Sequence, residues 1–243
     1  MKNIDKRLEA ILLGLYGDSV CDIGTDHGKL PALAILRGIV TRAIATDISP
    51  NSLKKAKELY RTLGISEYVE TRIGDGLDVV LWEEADTFVM AGMGGYTIVG
   101  ILSKGVPPVG KHFVFAPHQD AAPLREYLLT NGYILFTDRV TESGGKYYDI
   151  FTAVYDGNIC TEKKLFSSVY FLGAKGDTAK QGLFLEYGRD NLLYPNEDFL
   201  KKLAAQKNEF DKALERVYNI ECAKKAEQIE EALRFYSEKK ITK

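Results

Sequence analysis

The sequence is poor in cysteine and histidine. Its 243 residues include three cysteines, Cys21, Cys160 and Cys222, and three histidines. The cysteines lie far apart and form no C-x-x-C pair, which excludes a disulfide scaffold and a zinc ribbon. The histidines lack metal-ligand spacing, so we expect no metal site. Unpaired thiols indicate a reducing compartment, and we expect a cytoplasmic protein.

Neither sign of charge dominates the chain. Lysine and arginine number 32, and aspartate and glutamate number 34, which gives a formal net charge of −2. This balance excludes a global attraction for polyanions, so nucleic-acid binding requires a local basic patch. Long hydrophobic runs are also absent, because the longest uncharged run, residues 87–103, is short and rich in glycine. We therefore expect no membrane partner. The charged N-terminus predicts a helix and not a signal peptide.

The most informative segment that is present is S-V-C-D-I-G-T-D-H-G at residues 19–28. An apolar run, a turn with Gly24 and Gly28, and a following helix predict a strand–turn–helix unit that binds a small molecule. The turn is not G-x-G-x-x-G and has no Lys-Ser/Thr pair, which argues against a dinucleotide or a triphosphate. Asp47 closes the next predicted strand, where a carboxylate can accept hydrogen bonds from both ribose hydroxyls. These features favour S-adenosylmethionine as the cofactor, and hence a methyltransferase.

Strands and helices alternate along the first two thirds of the chain. After the strand at residue 19, further strands are predicted at residues 42–46, 69–73, 87–91, 113–116, 133–140 and 147–155. Parallel strands need crossover helices, so both faces of the sheet should be covered. The predicted fold is α/β, a Rossmann-like class I methyltransferase domain over residues 1–160 with seven strands, the last of them antiparallel.

The remaining residues, 161–243, are expected to form a connector and a C-terminal α-helical hairpin. Residues 158–193 show only a weak pattern and are interpreted as a connector with some order. Residues 196–240 carry two apolar stripes at helical spacing, with Asn219 between them. We expect two long amphipathic helices that fold back as an antiparallel, coiled-coil-like pair. One continuous helix is the alternative.

Four segments together resemble one enzyme family. They are D-I-G-T-D-H-G-x-L-P from Asp22, A-x-D-I-S-P from Ala45, R-I-G-D-G-L from Arg72 and A-G-M-G-G from Ala91. The sequence resembles the bacterial TrmK-type enzymes, which are S-adenosylmethionine-dependent tRNA (adenine-22 N1)-methyltransferases. The resemblance implies that fold, that cofactor and tRNA as partner. One departure is Ala116-Pro117-His118, where the family pattern has Q-P-N.

The candidate site residues gather at the predicted carboxyl ends of the strands. Asp26 is the candidate catalytic residue, because a carboxylate that accepts the adenine N6–H bond stabilises the positive charge that N1-methylation develops. The candidate cofactor-binding residues are Asp22, Gly24, Thr25, His27, Gly28, Asp47, Ile48, Asp75, Gly76, Gly92, Met93, Gly94 and Gly95. The candidate substrate-binding residues are Tyr96, His118, Lys201, Lys202 and Lys207.

Simpler structural interpretations stand beside these roles. Asp22 could cap its own turn, Asp26 could bond its own backbone, and Met93 and Tyr96 could be core residues. Two further functions remain open at this point: methylation of another RNA or a small molecule, and a non-catalytic donor-binding protein whose helical hairpin holds a partner. We favour a monomer.

Overall fold

A seven-stranded mixed sheet forms the centre of the molecule. The computed structural model describes residues 5–159, 177–216 and 220–241. Across the sheet the order is β3-β2-β1-β4-β5-β7-β6; β1 to β5 are parallel, and β7 is antiparallel to both β5 and β6. The predicted fold class is confirmed. The strands are β1 (Ser19–Ile23), β2 (Arg42–Asp47), β3 (Val69–Ile73), β4 (Thr87–Ala91), β5 (His112–Ala116), β6 (Asn131–Ser143) and β7 (Lys146–Ile159).

Helices connect the parallel strands and extend beyond the sheet. They are α1 (Lys6–Leu12), α2 (Lys29–Leu36), α3 (Pro50–Thr62), α4 (Gly95–Leu102), α5 (Ala121–Thr130), α6 (Thr178–Tyr187), α7 (Arg189–Leu193), α8 (Glu197–Arg216) and α9 (Ile220–Ile241). The start of α3 shows how the sequence marks a helix N-terminus. The Ser49 hydroxyl accepts the Ser52 N–H at 3.3 Å, and Pro50 occupies the first helical turn. Both choices are favoured at helix N-termini.

The sheet has an apolar layer on each face. Because side chains alternate along a strand, Val20 and Cys21 of β1 enter opposite layers. The layer of Val20 contains α1, α2 and α3, whereas the layer of Cys21 contains α4, α5 and the stacked rings of Phe113 and Phe115. Every residue of β1 is buried, as expected for a central parallel strand.

The segment interpreted as a loose connector is in part core structure. Helices α6 and α7 bury Leu183, Phe184, Tyr187 and Leu192 in the layer that also holds Phe113. Their shortness explains the weak periodic pattern, because a helix of five or ten residues repeats its apolar spacing at most a few times. The rest of the connector, residues 160–176, and the expected break at Asn219 lie outside the described residues.

Helices α8 and α9 pack against each other as predicted, and the single continuous helix is wrong. The ammonium of Lys207 in α8 lies 3.2 Å from a carboxylate oxygen of Glu230 in α9. The base of this helical hairpin joins the main core, since Phe199, Leu203 and Ile229 are almost fully buried in the same layer. The hairpin is therefore packed against the main domain through its apolar side chains and is not attached by a linker alone.

Side chains from the C-terminal region cover the edge strand β6. An uncovered edge would leave a row of unpaired backbone groups. The side-chain amide of Asn196 donates to the carbonyl of Val140 at 2.9 Å. Backbone N–H groups of β6 also donate to side chains beyond the sheet: Asp138 to Asp190, Val140 to Asn191 and Glu142 to Asp198, at 2.9–3.1 Å.

A buried arginine joins these elements. Arg125 of α5 is fully buried, and its guanidinium donates to Asp138 of β6 and Asp149 of β7 at 2.8–2.9 Å. It also donates to the carbonyls of Leu185 and Glu186 at the end of α6. Lys202 of α8 donates to the second Asp149 oxygen at 2.6 Å. Burial opposes ionisation of Asp149, but Lys202 and Arg125 outweigh it and hold the pKa of that carboxyl at about 2.

Removing the Arg125 charge should destabilise the protein strongly. Arg125→Met removes the buried positive charge that donates to both Asp138 and Asp149, and breaking a buried ion pair typically costs about 3–5 kcal/mol. Urea unfolding at neutral pH measures this change. Arg61→Met is the matched control, because its side chain is 79% exposed and its loss should change stability by less than about 0.5 kcal/mol. Equal stability of the two variants would contradict the claim that the buried ion pairs of Arg125 stabilise the folded protein.

Candidate active site

A cavity opens at the carboxyl ends of the central strands. Strand β1 pairs with β2 on one side and with β4 on the other, so the chain order reverses there, and ligands in such sheets bind at this point. The cavity has a volume of about 650 Å³, within the range of small-molecule sites. Its lining includes Arg7, Asp22, Thr25, Asp26, His27 and Gly92.

The loop between β1 and α2 is hydrogen-bonded to the end of β2 and packs against the loop after β4. The backbone N–H groups of Gly24 and Thr25 both donate to the carbonyl of Thr46 at 2.9 Å. Gly24 has φ +75°, and a Cβ there would lie 2.7 Å from the terminal methyl of Met93. Gly28 has φ +70°, and a Cβ there would clash with Tyr60 and Ala56. The left-handed φ therefore favours glycine at both positions, and at Gly28 the lack of space excludes a side chain as well.

Asp22 lies at the base of the cavity. It is 5% exposed, and its carboxylate accepts the hydroxyl of Thr25 at 2.7 Å. Burial raises the pKa of Asp22 from 3.8 to about 6, and the negative charge of Asp47 adds to this. The Thr25 hydrogen bond and the positive charge of Arg7 act in the opposite direction. Asp22 thus remains a buried acid whose charge a cationic ligand group would stabilise.

Asp47 connects the two loops that follow β1 and β2. One carboxylate oxygen accepts the backbone N–H of Asp26 at 3.0 Å, and the other accepts that of Ser49 at 2.8 Å. These bonds fix the orientation of the carboxylate, and each oxygen keeps a lone pair for a further donor. Its neighbour Ile48 is 70% exposed.

Asp26 occupies an unusual backbone conformation. Its φ is +52°, in the left-handed region that aspartate tolerates better than most residues. Its side chain is 75% exposed, with one oxygen 3.3 Å from Nε2 of His27, which lies 3.2 Å from the ammonium of Lys55. Among the described residues, no backbone N–H donates to this carboxylate, which disfavours the interpretation of Asp26 as a self-bonding turn acid.

The glycine-rich loop after β4 forms the adjacent wall. The N–H of Gly92 donates to the carbonyl of Ala116 at 3.0 Å, and that of His118 donates to the carbonyl of Met93 at 3.1 Å. Gly94 precedes α4, and a Cβ on Gly95 would collide with the backbone of Asp120. The loops after β4 and β5 are therefore packed together, and His118 is exposed where they meet.

Comparisons with known proteins agree with this architecture. A model of the methyltransferase domain family matches residues 4–151. The tRNA (adenine(22)-N(1))-methyltransferase of Bacillus subtilis (strain 168) is 34% identical over 164 residues, which cover 63% of this chain and 69% of that protein.

The chain belongs to the methyltransferase family that contains the B. subtilis enzyme. The fold is shared over almost the whole length with solved structures of lower identity. A Streptococcus pneumoniae protein, described as a putative tRNA (m1A22) methyltransferase in complex with S-adenosyl-L-methionine, has a TM-score of 0.77 at 22% identity, covering 95% of this chain and 100% of that chain. The B. subtilis M1A22 tRNA methyltransferase TrmK has a TM-score of 0.74 at 24% identity, covering 98% and 99%.

Eight predicted cofactor positions of this methyltransferase lie outside the cavity lining: Gly28, Asp47, Ile48, Asp75, Gly76, Met93, Gly94 and Gly95. Gly76 is buried with φ +60°, and Asp75 precedes it at the turn after β3. The ammonium of Lys104 binds both Asp75 and Asp78, at 2.9 and 3.0 Å. Tyr96 on α4 is 65% exposed, so it is not a core residue.

The three lysines predicted to contact substrate all pair with carboxylates. Lys201 binds Glu197 at 2.7 Å, and Lys207 lies between Asp211 and Glu230. Both pairs are at the surface. Lys202 differs, because its side chain is 13% exposed and its charge neutralises Asp149. This geometry gives Lys202 a structural contact, and the substrate role expected for it stays a prediction.

The sequence reasoning missed Arg7 in this methyltransferase. Its side chain lines the cavity from α1, a helix interpreted only as an opening segment. The available signal was an arginine beside the apolar residues Leu8, Ile11 and Leu12 of a short helix. Within the described part of the chain there is no metal-binding group of His, Cys, Asp or Glu residues and no helix long and apolar enough to cross a membrane.

The raised pKa of Asp22 predicts a specific pH dependence of stability. Between its unfolded pKa of 3.8 and its folded pKa of about 6, the native state holds a proton that the unfolded state releases. Stability is therefore lost as the pH rises through this window, by up to about 3 kcal/mol. Asp22→Asn should remove that loss, so its stability relative to wild type should increase between pH 4 and pH 7.

Urea unfolding at several pH values measures this effect without ligand. Glu67→Gln, at an exposed position, is the control and should follow the wild-type pH profile. A constant difference between Asp22→Asn and wild type over the same range would show that Asp22 is not a destabilised buried acid.

Proposed function

We propose that the protein transfers a methyl group from S-adenosylmethionine to N1 of adenine 22 in tRNA. The observation that carries this proposal is the cavity at the β1–β4 switch point, lined by the Asp22–His27 loop. Membership of the tRNA (adenine(22)-N(1))-methyltransferase family supports the substrate. Because tRNA is the substrate, we also propose a cytoplasmic location.

The loops at the carboxyl ends of the strands suit this cofactor. Asp47 would accept hydrogen bonds from the ribose hydroxyls, since its carboxylate is already oriented by two backbone N–H groups. Gly24 and Gly92 would let the backbone approach the ligand closely, as both have positive φ and no side chain. Asp75 and Gly76 would contact the adenine of the cofactor, with the carboxylate first exchanging its surface bond to Lys104.

The reaction requires positioning more than acid–base chemistry. When bound, the cofactor supplies an electrophilic methyl group on its sulfonium sulfur. The protein has to hold adenine N1 about 3 Å from that methyl carbon and exclude water. The target base must first leave the tRNA fold, and Tyr96, which is exposed, would stack on it. Asp26 would accept the N6–H of the base and stabilise the charge that develops on the ring.

The helical hairpin of α8 and α9 provides the surface proposed to hold tRNA. Lys201 and Lys207 form only surface ion pairs, which contribute little and can be exchanged for phosphate contacts. Lys212, Lys224 and Lys225 are exposed on the same two helices. Binding that uses these ammonium groups should weaken as salt concentration increases.

Purified protein, labelled S-adenosylmethionine and a tRNA transcript with adenine 22 test the function. Nucleoside mass spectrometry should detect one N1-methyladenosine per tRNA, and a transcript with guanine at position 22 should remain unmodified. Methylation of both transcripts would contradict the position. Donor binding without any methyl transfer would favour the non-catalytic alternative.

Asp26→Asn tests the proposed catalytic carboxylate. Asparagine also tolerates φ +52°, so the loop should keep its conformation while losing the negative charge. We expect donor affinity and melting temperature near wild type, with single-turnover methylation slower by about 10²–10³. Asp78→Asn, an exposed acid beyond β3, should react at the wild-type rate. Full activity of Asp26→Asn would remove Asp26 from the chemistry.

A further inference from the structure

Helix α3 carries an excess of positive charge on its exposed side. Its sequence, P-N-S-L-K-K-A-K-E-L-Y-R-T, has four basic residues and one acid. That acid, Glu58, lies 3.8 Å from the guanidinium of Arg61. The other three basic residues, Lys54, Lys55 and Lys57, are exposed, and no carboxylate among the described residues pairs with them. These three lysines form the α3 patch, whose charge is available to a binding partner.

The α3 patch lies beside the loop that carries the proposed catalytic acid. Helix α3 begins at the carboxyl end of β2, so its first turns are at the edge of the sheet where the cavity opens. The ammonium of Lys55 lies 3.2 Å from Nε2 of His27, which lines the cavity. A Cβ on Gly28 would lie 2.7 Å from the Cβ of Ala56, so the loop and the helix are in direct contact. A group bound to the patch would therefore have a defined position relative to Asp26.

A further lysine continues the positive surface to the cavity. Lys29, at the start of α2, is exposed and lines the cavity. Residues 24–36 and 48–62, which contain α2, α3 and the loops before them, include five basic residues and two acids, Asp26 and Glu58. The chain as a whole has a formal net charge of −2, so this excess is local. It is the kind of basic patch that binding of a polyanion requires.

The α3 patch and the helical hairpin lie on opposite sides of the cavity. Helix α3 packs on β2 and β3 at one edge of the sheet, whereas α8 covers β6 at the other. The switch point between β1 and β4 lies between them. Strands β2 and β6 are five strand spacings apart, roughly 24 Å at about 4.8 Å per spacing. A nucleoside cannot reach both surfaces, but a folded RNA with phosphates along its whole length can.

We propose that Lys54, Lys55 and Lys57 bind the sugar-phosphate backbone of the substrate RNA beside the target nucleotide. This inference rests on the proposed function, because it assigns a second contact surface to the same substrate. Lysine ammonium groups bind phosphates without reading the base sequence, so the patch contributes affinity and orientation. Contacts on both sides of the cavity then hold the RNA across its opening, with the target base near Asp26.

Salt-dependent binding of a labelled tRNA transcript, followed by fluorescence anisotropy, tests this surface. The triple variant Lys54→Gln, Lys55→Gln and Lys57→Gln should bind about 10- to 100-fold more weakly at low salt. The slope of log affinity against log salt should decrease in magnitude by about two to three, since each lost phosphate contact contributes about one. Affinity for S-adenosylhomocysteine and melting temperature should stay near wild type, because glutamine is as good a helix former as lysine. The corresponding triple arginine variant keeps the charges and should keep the wild-type slope.

Two single variants with the same charge change provide the matched control. Arg42 is exposed at the amino end of β2, on the edge of the sheet opposite the cavity, so Arg42→Gln should leave tRNA binding unchanged. Lys55→Gln should decrease the slope by about one. A wild-type slope in the triple glutamine variant, or equal weakening by the two single variants, overturns the α3 assignment alone. Wild-type protein that neither binds nor methylates the transcript overturns the proposed function, and this assignment with it.

Discussion

The buried guanidinium of Arg125 is the constraint on which the second half of the fold depends. An arginine within an apolar layer is tolerated only when opposite charges and carbonyls surround it. Here the acceptors come from β6, β7 and the end of α6, and α8 contributes the Lys202 bond to Asp149. The five elements α5, β6, β7, α6 and α8 must therefore meet at one point for this network to form.

This constraint links the helical hairpin to the catalytic sheet. The antiparallel strands β6 and β7 carry Asp138 and Asp149, and the hairpin covers the β6 edge through Asn196 and Asp198. The parallel strands β1 to β4 carry none of this network, so their loops are available for ligand binding. Anchoring and the proposed chemistry are thus divided between the two halves of one sheet. A tRNA bound by the hairpin, as proposed, would have a fixed position relative to the cavity.

The sequence predicted the parallel half of the sheet well, because apolar runs, turn glycines and the Ser49-Pro50 helix start each act locally. The acids at strand ends were found for the same reason. The members of the buried ion-pair network are distant in sequence: Arg125, Asp138, Asp149 and Lys202. No local pattern distinguishes these charged residues from ones that stay at the surface. Arg7 was missed for a similar reason, because its position at the cavity depends on contacts with Gly92 and Tyr148, which are distant in sequence.

The proposed binding and catalytic acids are physically one unit. Asp26 adopts its left-handed φ while its backbone N–H donates to Asp47, so a bond from the proposed ribose-binding residue helps to stabilise a conformation that is otherwise unfavourable. That conformation leaves the Asp26 side chain exposed at the cavity, beside the ring of His27. A ribose that binds the Asp47 carboxylate would therefore bind beside an acid already presented to the target base. Cofactor recognition and the placement of Asp26 share a hydrogen bond between two loops, so a change of the Asp47 carboxylate should disturb both.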